Sequence, residues 1–167
     1  FEWLESLLIG AVISSTDAAS VFSVLRSKKL NLRYGTASIL ELESGSNDPW
    51  AYMLTVIILS VMKGGATAGG FVVSLLAQVF FGVGFGALIS LGAVYLIKRV
   101  RFDAAGFDAI FVTAIAILSY ALPSAVGGNG YLSCYIVGIV LGNTKISGKT
   151  ALVHFFDGIT GFTQILL

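Results

Sequence analysis

Charge is what this chain has least of. Only 11% of its 167 residues are Asp, Glu, Lys or Arg, less than half the roughly 25% of a soluble domain. Hydrophobic residues make up 56%, and the mean hydropathy is +0.92. These values exclude an ordinary soluble domain and place the chain among integral membrane proteins. Basic residues never form a run long enough for nucleic acid, so no nucleic-acid partner is expected, and a net charge of +1 points to no other. The single cysteine, Cys134, rules out an internal disulfide and, in an apolar stretch, carries no message about redox compartment. Soluble domains, linkers, low-complexity segments and internal repeats are not legible. The chain begins without Met and stops inside the apolar run Gln164-Ile165-Leu166-Leu167, which reads as an internal fragment of a larger protein.

What is there is apolar and helix-length. At roughly 20 residues per spanning helix, the chain has room for about six spans. They are expected near Leu4–Leu25, Tyr34–Met62, Gly70–Ile97, Phe107–Leu122, Gly130–Gly142 and Thr150–Leu167, an all-α membrane fold. The loops between them carry Arg26, Lys28, Lys29 and Arg33; then Lys63; then Lys98, Arg99 and Arg101; then no basic residue; then Lys145 and Lys149. Positively charged loops stay cytoplasmic, so the odd-numbered loops are expected inside. Gly82 and Gly86, and again Gly138 and Gly142, stand four apart, a spacing that lets membrane helices approach closely or simply reflects their glycine content.

The scarce polar residues concentrate in two places. Leu40-Glu41-Leu42-Glu43-Ser44-Gly45-Ser46-Asn47-Asp48-Pro49 puts three carboxylates into the second span, where charge is costly and usually kept for a use. Helical periodicity sets Glu41, Ser44 and Asp48 on one face, with Glu43 and Asn47 on an adjoining one. Pro49 has no N–H, which leaves the Gly45 carbonyl unpaired within the helix. Such oxygens suit a hard cation; the alternative is a polar cluster that only joins helices. In the first span, Ser14-Ser15-Thr16-Asp17 predicts a break, and broken helices expose carbonyls and helix ends to ions. Asp17 reads either as a ligand or as a cap on the half-helix that follows. Glu43 reads as an ion ligand or as half of a structural ion pair. His154 is a pH sensor or an interfacial residue, Asp157 lies deeper, and Gly127-Gly128-Asn129-Gly130 is a turn without the strand–helix setting of a phosphate loop.

Thr16-Asp17 followed by Glu43-Ser44-Gly45-Ser46-Asn47-Asp48-Pro49 resembles the monovalent cation/proton antiporter family. The closest resemblance is to its NhaP-like branch and the bacterial potassium/proton antiporters of the cell volume regulation type. Gly130-Tyr131-Leu132-Ser133-Cys134 and Phe156-Asp157-Gly158 support it, and the likeness covers nearly the whole chain. The resemblance implies that residues 1–167 are a fragment of one exchanger domain with inverted repeats, in a multi-pass protein of the bacterial inner membrane, usually a homodimer. It implies no enzyme and no cofactor: the ligands are transported ions, K+ or Na+ against H+. Asp48 would bind cation and proton in turn. Ser44, Asn47, Asp17 and the backbone around Thr16 would complete the cation site, Asn before Asp marks the electroneutral branch, and Glu43 would pair with an arginine beyond this chain. A channel pore and a non-transporting scaffold are the competing functions.

Overall fold

The computed structural model describes residues 2–16, 20–21, 25, 32–64, 68–99, 106–145 and 149–166. Among them are six α-helices and one 3-10 turn, with no strand. The helices are α1 (Trp3–Ile13), α2 (Thr36–Met62), α3 (Ala68–Arg99), α4 (Phe107–Ala125), α5 (Gly130–Asn143) and α6 (Lys149–Leu166). Asp17, Arg26, Lys28, Lys29, Arg101 and Asp103 lie outside the described residues, as does the side chain of Gln164.

The first span breaks, as its run of hydroxyls predicts. Helix α1 stops at Ile13, Ser14 caps its end, and Ser15 and Thr16 are not helical. The Ser14 hydroxyl donates to the Ala11 carbonyl at 2.7 Å, a local bond of the kind that competes with helix continuation. The second span starts two residues later than expected. Tyr34 and Gly35 both take positive φ, 61° and 71°, a conformation that glycine adopts at little cost, and Thr36 then opens α2 with its hydroxyl on the Arg33 carbonyl.

Helices α3, α4 and α5 form the packed centre. Ala93, Ile115, Val137 and Leu141 are buried together, with Ile89, Val94, Ile97, Phe111 and Val112 against them. The two predicted glycine pairs behave differently. A Cβ on Gly82 would lie 2.9 Å from the Asn129 carbonyl oxygen, and one on Gly86 would lie 3.1 Å from Ile136 Cβ. Gly82 and Gly86 therefore let α5 sit directly on the α3 backbone. Around Gly138 and Gly142 a Cβ would meet nothing within 4 Å. That face of α5 borders a cavity of about 360 Å³ between α4, α5 and α6, with Lys149 and Asp157 among its lining residues.

Outside this centre the apolar side chains face outward. Phe80 is 75% exposed, Leu88 and Leu91 are each 68%, and Ile110 is 67%. Water would not tolerate so continuous an apolar surface. By length and composition α3 and α4 can each cross a bilayer, while α1 and α5 are shorter apolar helices. Helix α2 is long enough but carries the carboxylates.

Candidate functional site

The end of α1 meets the polar stretch of α2. Because α1 stops at Ile13 and Ser14 closes its end, Ser15 and Thr16 are not committed to a helical surface, and both reach across to α2. Ser15 Oγ donates to Asp48 Oδ1 at 2.5 Å. Thr16 Oγ1 lies 2.8 Å from Ser44 Oγ and accepts from Asn47 Nδ2 at 2.7 Å. Asn47 Nδ2 also faces Glu43 Oε1 at 3.4 Å, one helical turn back.

Burial grades the cluster. Ser44 is fully enclosed, Asn47 and Asp48 are half-buried, and Glu43, Ser15 and Thr16 are exposed. With its amide nitrogen turned to Thr16 and Glu43, Asn47 leaves Oδ1 buried and, among the described residues, without a hydrogen-bond partner. A buried oxygen in that condition is costly, and a cation is one group that would satisfy it. The available donors are the carboxylate of Asp48, the hydroxyls of Ser44 and Thr16, and Oδ1 of Asn47. All are hard oxygen ligands, the set that suits alkali and alkaline-earth ions rather than soft metals. No cluster of three His, Cys, Asp or Glu side chains occurs among the described residues.

The structure thus brings together Thr16, Ser44, Asn47 and Asp48, with Glu43 at the edge; Asp17 lies outside the described residues. Thr16 contributes its side chain to the cluster, whereas the sequence reading assigns that position a backbone role. Ser15 belongs to the cluster as well as to the break. Its partner is 33 residues away, and nothing local in the chain announces a bond across helices. His154 is exposed on α6, away from these residues in the chain. Lys149 Nζ donates to the Gly142 carbonyl near the end of α5, a favourable place for a cation at a helix C-terminus.

Asn129, in the glycine-rich turn before α5, also reaches α2. Its side chain caps α5, accepting from Leu132 N at 3.0 Å, and donates to the Pro49 carbonyl at 2.8 Å, next to Asp48. An Asn immediately before an apolar helix was a legible cap signal; its reach to α2 was not. Nearby, the Tyr131 ring lies 4.7 Å from that of Tyr52, tilted by 53°, and 5.2 Å from that of Tyr120, edge-on.

Residues 1–167 match the family described as sodium/hydrogen exchanger, transmembrane. The chain belongs to that family. The chain is 40% identical over 168 residues to the K(+)/H(+) antiporter NhaP2 of Shewanella oneidensis, covering 98% of this chain and 28% of that protein. It is 36% identical over 168 residues to the K(+)/H(+) antiporter NhaP of Alkalimonas amylolytica, covering 99% of this chain and 29% of the relative. A more distant match, 27% over 177 residues, is the probable Na(+)/H(+) antiporter 2 of Methanocaldococcus jannaschii, with 98% and 41% covered. The chain therefore spans little more than a quarter of the length of the first two relatives. Membership makes it an integral membrane protein, in keeping with its outward apolar helices.

Proposed function

We propose that this chain carries the ion site of a secondary antiporter that exchanges potassium for protons, with both ions competing for Asp48. The single observation that supports this best is the buried Asn47 Oδ1, without a partner among the described residues, beside the Thr16, Ser44 and Asp48 oxygens. Potassium is placed ahead of sodium because the two relatives at 36% and 40% identity are named K(+)/H(+) antiporters. The chain is taken as part of one exchanger domain of a longer, homodimeric protein of the bacterial inner membrane.

The mechanism is one of charge compensation. A carboxylate in apolar surroundings is stabilised by a proton or by a cation, and the empty anion is the expensive state. A site that crosses cheaply only when loaded exchanges one ion for the other and suppresses leak. Rocking of one helix bundle against another then exposes the loaded site to each face in turn. Ser15, donating to Asp48, holds the carboxylate beside the cation oxygens. Ser44, Thr16 and Asn47 replace part of the cation's water shell. Asp17, at the break, is assigned to the same site as ligand or helix cap. Glu43 is assigned a structural part, since its carboxylate faces Asn47 from the exposed side.

The test is ion flux in proteoliposomes carrying the full-length protein. Adding potassium outside acid-loaded vesicles should drive proton efflux without net current, because the Asn47-Asp48 pair follows the electroneutral pattern. A potassium current with a defined reversal potential would make the assembly a channel instead. Vesicles with no cation-driven proton movement would leave only a scaffold.

A further inference from the structure

Helix α2 is held on the side away from Ser15 and Thr16. Leu42, Gly45 and Pro49 lie three and seven residues apart, so they share a face, and α5 packs there. Two side chains reach backbone oxygens on that face. Tyr135 Oη donates to the Leu42 carbonyl at 3.2 Å, and Asn129 Nδ2 donates to the Pro49 carbonyl at 2.8 Å. These two carbonyls bracket residues 43–48, the stretch that holds Glu43, Ser44, Asn47 and Asp48. Between them, Gly45 lets the Tyr135 ring lie close: a Cβ there would stand 3.1 Å from Tyr135 Cε2.

Asn129 is itself fixed from every side. It has 0% exposure. Its Oδ1 accepts from Leu132 N, its own N–H donates to the Gln78 carbonyl at 3.1 Å, and its carbonyl accepts from Ser133 N at 3.2 Å. The side-chain amide cannot turn from Pro49 without uncapping α5, and the backbone that carries it is tied to α3 through Gln78. A carbonyl oxygen has two lone pairs, so these bonds add to the helical ones and serve to fix the rotation and height of α2. Among the described residues α1 packs on α2 and on no other helix. The position of the whole polar cluster therefore descends from the grip of α3 and α5 on α2.

We infer that Asn129 and Tyr135 are positioning residues that clamp the 43–48 segment of α2 so that its oxygens meet those of Thr16 in one ion site. The inference rests on the reading of Asp48 as the exchange site. A site built across two helices loses affinity when one of them rotates or slides by a fraction of an ångström. The clamp sits on backbone oxygens at both ends of the segment and resists both movements.

The experiment measures potassium-dependent proton flux in proteoliposomes with the full-length protein, for wild type, Tyr135→Phe, Asn129→Ser and Asp48→Asn. Tyr135→Phe removes one hydroxyl, while Asn129→Ser keeps a helix-capping side chain that is too short to reach Pro49. Each should raise the apparent potassium constant about three- to tenfold and leave the maximal rate within about twofold. Because proton and cation compete, weaker cation binding should also move the acid limb of the flux toward higher pH, by about one pH unit for a tenfold loss. A merely structural role would lower yield and leave both quantities unchanged per folded protein. Unchanged constants in Tyr135→Phe and Asn129→Ser, with Asp48→Asn inactive, overturn the clamp alone, and Tyr135→Phe decides the matter by itself if Asn129→Ser accumulates poorly. Flux that survives Asp48→Asn, or is absent from wild type, overturns the exchange reading and the clamp with it.

Discussion

Thr16 Oγ1 touches Ser44 and Asn47 together, at 2.8 and 2.7 Å, so deleting it disconnects α1 from two site residues at once. Thr16→Ala should weaken apparent cation affinity about tenfold, equivalent to roughly 1.4 kcal/mol. Thr16→Ser keeps the hydroxyl and should stay within about twofold of wild type. Flux titrations with potassium distinguish the two, and equal effects would return Thr16 to a backbone role. Glu43 behaves differently. Its carboxylate is exposed and meets Asn47 only at 3.4 Å, a contact that the Gln amide oxygen can also make. Glu43→Gln should lower protein yield more than it changes cation affinity, because an acid placed for a partner elsewhere loses that partner. A well-folded Glu43→Gln protein with weakened cation binding would contradict this.

Among the elements, the α3–α5 contact is the most sensitive to a single methyl group. Gly82→Ala would press a Cβ to 2.9 Å from the Asn129 carbonyl, whereas Gly138→Ala would enter open space. Overpacking costs about 1–3 kcal/mol, so Gly82→Ala should lower the thermal midpoint of the purified protein and Gly138→Ala should not. Similar melting of the two variants would mean that α5 does not rest on the α3 backbone as described. The same pair shows what could be read from the chain. Both GxxxG spacings are equally visible as letters, and only packing decides which one a neighbour uses. Helix number, the break after Ile13 and the polar stretch of α2 were legible because apolar run length and clustered hydroxyls act locally. The bonds from Ser15 to Asp48 and from Asn129 to Pro49 join residues 33 and 80 apart. They depend on where whole helices end up, which no local pattern encodes.

At the scale of the whole molecule, topology and exchange are linked. The uneven spread of Lys and Arg predicts the loop containing Arg33 inside and that containing Lys63 outside. In a Cys134→Ser background, a cysteine at Arg33 should resist an impermeant thiol reagent applied from outside, and one at Gly64 should react. Labelling of the first would overturn the topology. The proposed exchange has proton and potassium competing for the Asp48 carboxylate. Raising proton concentration should therefore raise the apparent potassium constant and change the maximal rate little. The most direct measurement is potassium-dependent proton flux in proteoliposomes carrying full-length Asp48→Asn protein beside wild type. Asn preserves the shape of the side chain and removes the charge that proton and cation share. The account predicts that the variant inserts and melts like wild type while cation-driven proton flux is lost; flux retained in Asp48→Asn would contradict it.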